Sequence, residues 1–291
     1  MTLTKTYKIQ KGPNALDLRK YVVLRNKEYK KLLDSSKSER DIHYFFERNP
    51  SFVPGAWTPG TKSSHYPLHC ALITQPKLID LRTKIPDFMW ISTHSGGWYP
   101  TLIEIENPSK KIFTKKGEPT ANFSQARNQL EKWKTWFNNS SNLSRFIEMY
   151  QIPDYMVRWR QMKLHMILIY GRRAEFGSDP EKSKERMSLI SSSDYELMSY
   201  DRLSCDSDLE DAITIKLNKS GRYEAVAIPP IFKLRPALAD RLIYIDGIDS
   251  ALNKTIGISS RRRTFLKKRL LYWQDWSKQS DHGTIKTGDR E

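Results

Sequence analysis

Residues 86–108 limit the possible folds of this chain more than any other stretch. Pro86-Asp87 opens the run Phe88-Met89-Trp90-Ile91-Ser92-Thr93, which has strand composition. His94-Ser95-Gly96-Gly97 supplies turn chemistry, and Trp98 to Glu106 makes a second apolar run that Asn107-Pro108 stops. Strand side chains alternate between two faces. Ile103 and Ile105 therefore point one way, while Leu102, Glu104 and Glu106 point the other.

Pairing the two runs adds a third carboxylate to that face. With the turn centred between Ser95 and Gly96, Asp87 lies opposite Glu104; slipped two places toward Gly97, it lies opposite Glu106. A three-residue loop would reverse the parity and separate the acids. Cross-strand neighbours sit about 5 Å apart, and like charges that close are destabilising unless something positive lies between them. Nearby lysines on an exposed face would serve. So would a divalent cation, since Mg²⁺ is held by one or two carboxylates plus water and phosphate. Three converging acids favour the cation.

Around this hairpin, Ser38 with Asp41 predicts a helix start and Asn49-Pro50 its end, with Ile42, Phe45, Phe46 and Asn49 buried. Ahead of it, residues 16–33 predict a strand at Tyr21-Val22-Val23-Leu24 and a short lysine-rich helix. Short strands are expected over 68–73 and 78–81. Residues 110–120 read as an exposed loop; its Lys110, Lys111, Lys115 and Lys116 lie where a phosphate backbone would pass, a plain solvated loop being the alternative. A helix over 122–138 carries Phe123, Ala126, Leu130, Trp133 and Phe137 on one stripe, with Gln129 one turn before Trp133.

Lys163 to Tyr170 reads as a central strand buried on both faces, with His165 packed within it. Arg172 and Arg173 follow at its end, where guanidinium forks suit phosphate. A charged helix after Asp179-Pro180 and a short last strand over 196–200 complete this part. The composition shifts at Cys205-Asp206-Ser207-Asp208. Beyond it come a hairpin, 212–217 with 223–228, and a basic amphipathic helix from Ser259. In that helix Arg261, Arg262, Arg263, Lys267, Lys268 and Arg269 alternate with Phe265, Leu266, Leu270, Trp273 and Trp276, which suits a DNA backbone, a partner helix or a membrane surface. The aromatic stripe ranks nucleic acid or oligomer contact above membrane. The tail after Ser277 reads as disordered.

Lys plus Arg outnumber Asp plus Glu by 49 to 33, a net charge of +16, which favours a polyanionic partner. Two cysteines, Cys70 and Cys205, exclude a disulfide scaffold, and His65, His69 and Cys70 lack a nearby fourth ligand for zinc. Met1 to Lys5 lack an apolar signal core and no run reaches membrane-spanning length, so a cytoplasmic location without membrane partners is expected.

Pro86-Asp87 with Glu104-Ile105-Glu106 resembles the PD-(D/E)XK nuclease signature, with glutamate at the lysine place. The longer set is similar to the Shedu family of bacterial anti-phage nucleases. It comprises Ile103 through Phe113, Ala126 to Gln129, Trp133, Phe45-Phe46-Glu47-Arg48-Asn49-Pro50, Ile169-Tyr170-Gly171-Arg172-Arg173 and Ser199-Tyr200-Asp201-Arg202-Leu203. The resemblance covers residues 38–205. It implies an α/β, restriction-endonuclease-like core with a central mixed sheet flanked by helices. Residues 1–37 would precede that core, and 206–291 would form a basic α+β extension.

It also implies a Mg²⁺-dependent deoxyribonuclease (Mn²⁺ substituting) that acts on phage or foreign DNA as a homo-oligomer, often a tetramer. Asp87 and Glu104 would hold the metal, Glu106 would be a ligand or base, and Glu39 or Glu47 on the first helix, with Glu39 preferred, a further ligand. Lys110 or Lys111 could reach back for the absent lysine, and Gln129 could face the catalytic strand. That absent lysine also motivates a second possibility, a non-catalytic module that keeps the fold and binds nucleic acid. RNA remains open as the substrate.

Overall fold

In the computed structural model, residues 7–35, 38–60, 65–177, 179–236, 243–279, 285 and 288–291 are described. Residues 1–6, and half of the tail read as disordered (280–284, 286 and 287), lie outside them. Eight strands form one mixed sheet in the order β5-β4-β3-β2-β1-β6-β7-β8. They are β1 (Ala71–Thr74), β2 (Phe88–His94), β3 (Gly97–Ile105), β4 (His165–Ile169), β5 (Glu196–Met198), β6 (Ile213–Leu217), β7 (Tyr223–Ala227) and β8 (Ile245–Asp246). The helices are α1 (Leu18–Ser35), α2 (Glu39–Arg48), α3 (Ala121–Phe137), α4 (Ser140–Met149), α5 (Asp154–Val157), α6 (Pro180–Ser192), α7 (Ile248–Lys254) and α8 (Ser260–Ser277). This α/β architecture is consistent with the restriction-endonuclease-like core expected from the sequence.

Strand alternation sorts the centre of the sheet into two apolar layers. Phe88, Trp90, Ile103, Ile105, Ile167 and Ile169 pack with Tyr21, Tyr29, Ile42, Phe45 and Phe46 of α1 and α2. Met89, Ile91, Leu102, Met166 and Leu168 pack with Phe123, Ala126, Leu130 and Trp133 of α3. β3 lies between antiparallel β2 and parallel β4 and is buried along its whole length. Such a strand is a rigid carrier for any side chain at its end.

Three local expectations are corrected. Residues 21–24 are helical within α1, because Tyr21, Tyr29 and Leu33 recur at helical spacing and are buried, while Val23 and Leu24 stay exposed. The strand expected over 68–73 starts only at Ala71. His69 and Cys70 adopt φ of 57° and 49° in a 3-10 turn, a left-handed backbone no strand contains. Residues 78–81 form only the bridge Leu78 to Lys84, and Leu81 is fully exposed.

The chain beyond Cys205 continues the same sheet, with β6 parallel to β1 and antiparallel to β7. Helix α8 lies against it through Leu266, Leu270, Trp273 and Trp276. The four final residues are anchored there. Glu291 accepts from Arg269, from Trp273 Nε1 at 3.1 Å and from Gln10 N–H at 2.9 Å, while Arg290 pairs with Asp211. These contacts correct the disordered reading for residues 288–291.

Arg262 and Arg269 of the basic series on α8 are likewise interior, and Arg263 is half-buried. Arg262 is 3% exposed and donates to the carbonyls of Pro13, Phe232 and Glu291. Arg263 donates to those of Leu252 and Thr255. Arg262→Ala would leave buried carbonyls without a donor, an expected loss of about 2–4 kcal/mol. Lys268→Ala on the exposed face should stay within about 0.5 kcal/mol. Urea unfolding of both variants distinguishes the two environments.

Candidate active site

The β2–β3 turn has two residues between paired ends, His94 and Gly97, and the register runs through Met89↔Leu102 to Phe88↔Ile103. One step further places Asp87 opposite Glu104. This is the register centred between Ser95 and Gly96. The backbone clamps the arrangement: Ile105 N–H donates to Asp87 Oδ2 at 2.9 Å, and Gln75 N–H donates to the Asp87 carbonyl at 2.8 Å.

Glu104 is 7% exposed at the buried end of β3. Its Oε1 accepts from Gln129 Nε2 of α3 at 2.6 Å, while Oε2 is buried without a hydrogen-bond partner. Gln129 reaches Glu104 because Thr120 caps α3, accepting the Phe123 N–H, and Ala126, Leu130 and Trp133 seat that helix on the sheet. Glu106 lies one step past β3, where its N–H donates to Ile169 O at 3.1 Å and its carbonyl accepts from the Tyr200 hydroxyl. Lys110 Nζ reaches back from the following turn to pair with Glu106 Oε2. Glu39 heads α2, capped by Ser38, and accepts the Asn107 N–H.

The geometry therefore gathers Asp87, Glu104, Glu106, Glu39, Gln129 and Lys110 at one end of β3. Lys111 stays exposed, and only its carbonyl is engaged, by Thr120 Oγ1. Lys115, Lys116 and Arg173 are exposed at the surface. Arg172 is tied down by Asp201 and Asp34 and by the Leu33 carbonyl, so its fork is already spent on protein partners. Lys267 faces Asp249 at 3.5 Å. Arg261 and Lys268 are exposed on α8. His165 is largely enclosed at the start of β4, and burial lowers it to about 4.

Electrostatics single out the two innermost acids. Burial, with Glu39 and Glu106 adding to it, pushes Asp87 up to about 7 although the Ile105 N–H opposes the shift. Glu104 is raised well above the carboxylate range by burial first, then by Asp87, Glu106 and Glu39. Burial also raises Glu39, with Glu106 adding and Lys110 opposing. Burial and like charge are the ordinary causes of such shifts, and they occur together here.

A hard divalent ion fits these residues. The donors are all oxygen, and among the described residues nothing donates to the buried Glu104 Oε2 at hydrogen-bond distance. Among the described residues no three His, Cys, Asp or Glu side chains already form a metal-ligand group. The protein would thus contribute one or two carboxylates, leaving the other positions to water and phosphate, as is usual for Mg²⁺.

His43, one turn after Glu39 and one turn before Glu47, also reaches the cluster, which sequence reading did not anticipate. Its Nε2 lies 3.8 Å from Asp87 Oδ1 and its Nδ1 lies 3.7 Å from Glu47 Oε1. The spacing 39, 43, 47 was visible as one helical stripe; the approach to Asp87 was not.

A family model described as Shedu protein SduA, C-terminal, matches residues 36–204. The chain belongs to this family. Membership implies a role in anti-phage defence. No curated protein matches the chain. Among the described residues no helix of this Shedu protein is long and apolar enough to cross a membrane.

Because Asp87 binds its proton more tightly folded than unfolded, its contribution to stability is full below pH 4 and lost as pH rises through 7. In chelator, unfolding free energy should fall by up to a few kcal/mol between pH 5 and 8, and Asp87→Asn should flatten that slope. Mg²⁺ should restore more stability at pH 8 than at pH 6. Thermal melts with and without the ion test both signs.

Proposed function

We propose that this Shedu protein is a metal-dependent deoxyribonuclease of the PD-(D/E)XK type that cleaves phage or other foreign DNA. The observation that carries the reading is the pairing of Asp87 with Glu104 across one hairpin. It leaves two raised carboxylates and an orphaned Glu104 oxygen at a sheet end. A divalent ion held there by Asp87 and Glu104 would supply positive charge to activate water and offset charge on the phosphate.

The protein's own groups do the rest. Ile105 N–H and Gln129 fix the two ligand carboxylates from opposite sides, so little reorganisation is needed when an ion arrives. Glu106, or Glu39 beside it, would accept a proton from the attacking water. Lys110 sits on Glu106 and can shift toward the phosphate, supplying the cation that position 106 lacks. Exposed Lys111, Lys115, Lys116, Arg173, Arg261 and Lys268 remain as contacts for the strand backbone. Mg²⁺, with Mn²⁺ as a substitute, and a homo-oligomeric, cytoplasmic enzyme complete the proposal.

The Glu106–Lys110 pair also supports a second reading, a nuclease fold that binds nucleic acid without cutting it, since both groups already satisfy each other. Cleavage of linear and circular DNA with Mg²⁺ or Mn²⁺ separates the two. The nuclease reading expects Asp87→Ala and Glu104→Ala each to lower the rate by about 10²-fold or more. DNA binding in these variants should be retained. Unchanged cleavage in both would remove the site, and tight binding with no cleavage by the wild-type protein would establish the module. Labelled RNA in the same assay decides the substrate.

A further inference from the structure

The approach of His43 to Asp87 is the contact near the acids that the proposed chemistry leaves unused. α2 brings the imidazole edge toward Asp87 while Oδ2 of that carboxylate is held by Ile105 N–H, so His43 Nε2 faces the remaining oxygen, Oδ1, at 3.8 Å. The ring is held from both other sides. It stacks on Phe88 at 4.5 Å between centroids with 22° between planes, and Nδ1 faces Glu47 Oε1. Glu47 is itself held by the Thr74 hydroxyl at 2.8 Å, and its backbone carbonyl accepts from Thr214. Stacking, a backing carboxylate and a fixed helix leave the imidazole little freedom except along the line to Asp87.

His43 Nε2 is buried and makes no hydrogen bond at the observed separation. An enclosed ring nitrogen without a partner is costly and needs a reason. At 3.8 Å it is a little too far for a bond to Asp87, yet catalytic hydrogen bonds are often long before ligands bind and tighten afterwards. Carboxylates that ligate metals are commonly oriented by such an outer partner, and losing it typically weakens metal binding about 10- to 100-fold.

We propose that His43, backed by Glu47 and Thr74, is a positioning residue that orients Asp87 toward the cation by donating from Nε2 to Oδ1. This rests on the proposed metal-dependent reading of Asp87 and Glu104. His43 touches neither substrate nor water in this role. Its effect on cleavage passes entirely through the set of the Asp87 carboxylate.

Mn²⁺ binding to the full chain, followed by electron paramagnetic resonance without DNA, tests the inference apart from activity. His43→Phe keeps the stacking on Phe88 and removes both nitrogens; it should weaken Mn²⁺ binding about 10-fold or more. His43→Gln, which restores an N–H near the position of Nε2, should recover most of the affinity. A purely structural histidine would instead lower the melting temperature in both variants and leave the Mn²⁺ affinity of folded protein alone. Should His43→Phe not fold, Glu47→Gln reads the same contact at one remove. It should keep the bond to Thr74 and weaken Mn²⁺ by a smaller factor. Wild-type affinity in His43→Phe, or in Glu47→Gln where that is the variant measured, overturns the positioning role and leaves the metal site standing. No Mn²⁺ binding by wild-type protein overturns the metal site and this inference with it.

Discussion

The pairing of β2 with β3 through a two-residue turn is the constraint on which the rest depends. Parity is absolute in such a ladder: one more residue in the turn would send Asp87 to the opposite face from Glu104. Because both faces of β3 are packed, a one-residue slip would exchange Leu102 with Ile103 and Ile105 between the two layers and drive Glu104 into the apolar layer under α1 and α2. The apolar packing on both faces of the sheet therefore fixes the positions of the acids at its end. Stability and site geometry share one cause.

The same packing makes the acids costly. Burial first, and then the neighbouring acids, raise Asp87, Glu104 and Glu39, while the Ile105 N–H opposes this at Asp87 and Lys110 at Glu39. The result is strongest at Asp87, pushed up to about 7, and at Glu104, raised well above the carboxylate range.

The basic excess of the chain divides between two uses. Arg235, Arg262 and Arg269 are 7–8% exposed or less and serve as interior clamps: Arg235 on Asp211, Arg269 on Glu291, Arg262 on three carbonyls. Guanidinium suits this work because it spreads several donors in a fixed fork. The net charge of +16 thus overstates the surface that α8 offers to a polyanion. Loop lysines 115 and 116, with Arg173, Arg261 and Lys268, remain at the surface.

The sequence alone determined the hairpin, the amphipathic α2 and α3, the central strand β4 and the family, while the parity of the hairpin was settled only by its two-residue turn. All of these depend on local periodicity, capping and turn chemistry, which act between near neighbours. It misread Tyr21-Val22-Val23-Leu24, since the β-branched pair Val22-Val23 outweighed the wider spacing of Tyr21, Tyr29 and Leu33. Only tertiary structure decided that Gln129 meets Glu104, that His43 faces Asp87 and that Arg262 is interior. Those contacts join residues far apart in the chain. They depend on how helices settle on the two faces of the sheet, and no pattern within a single segment encodes that.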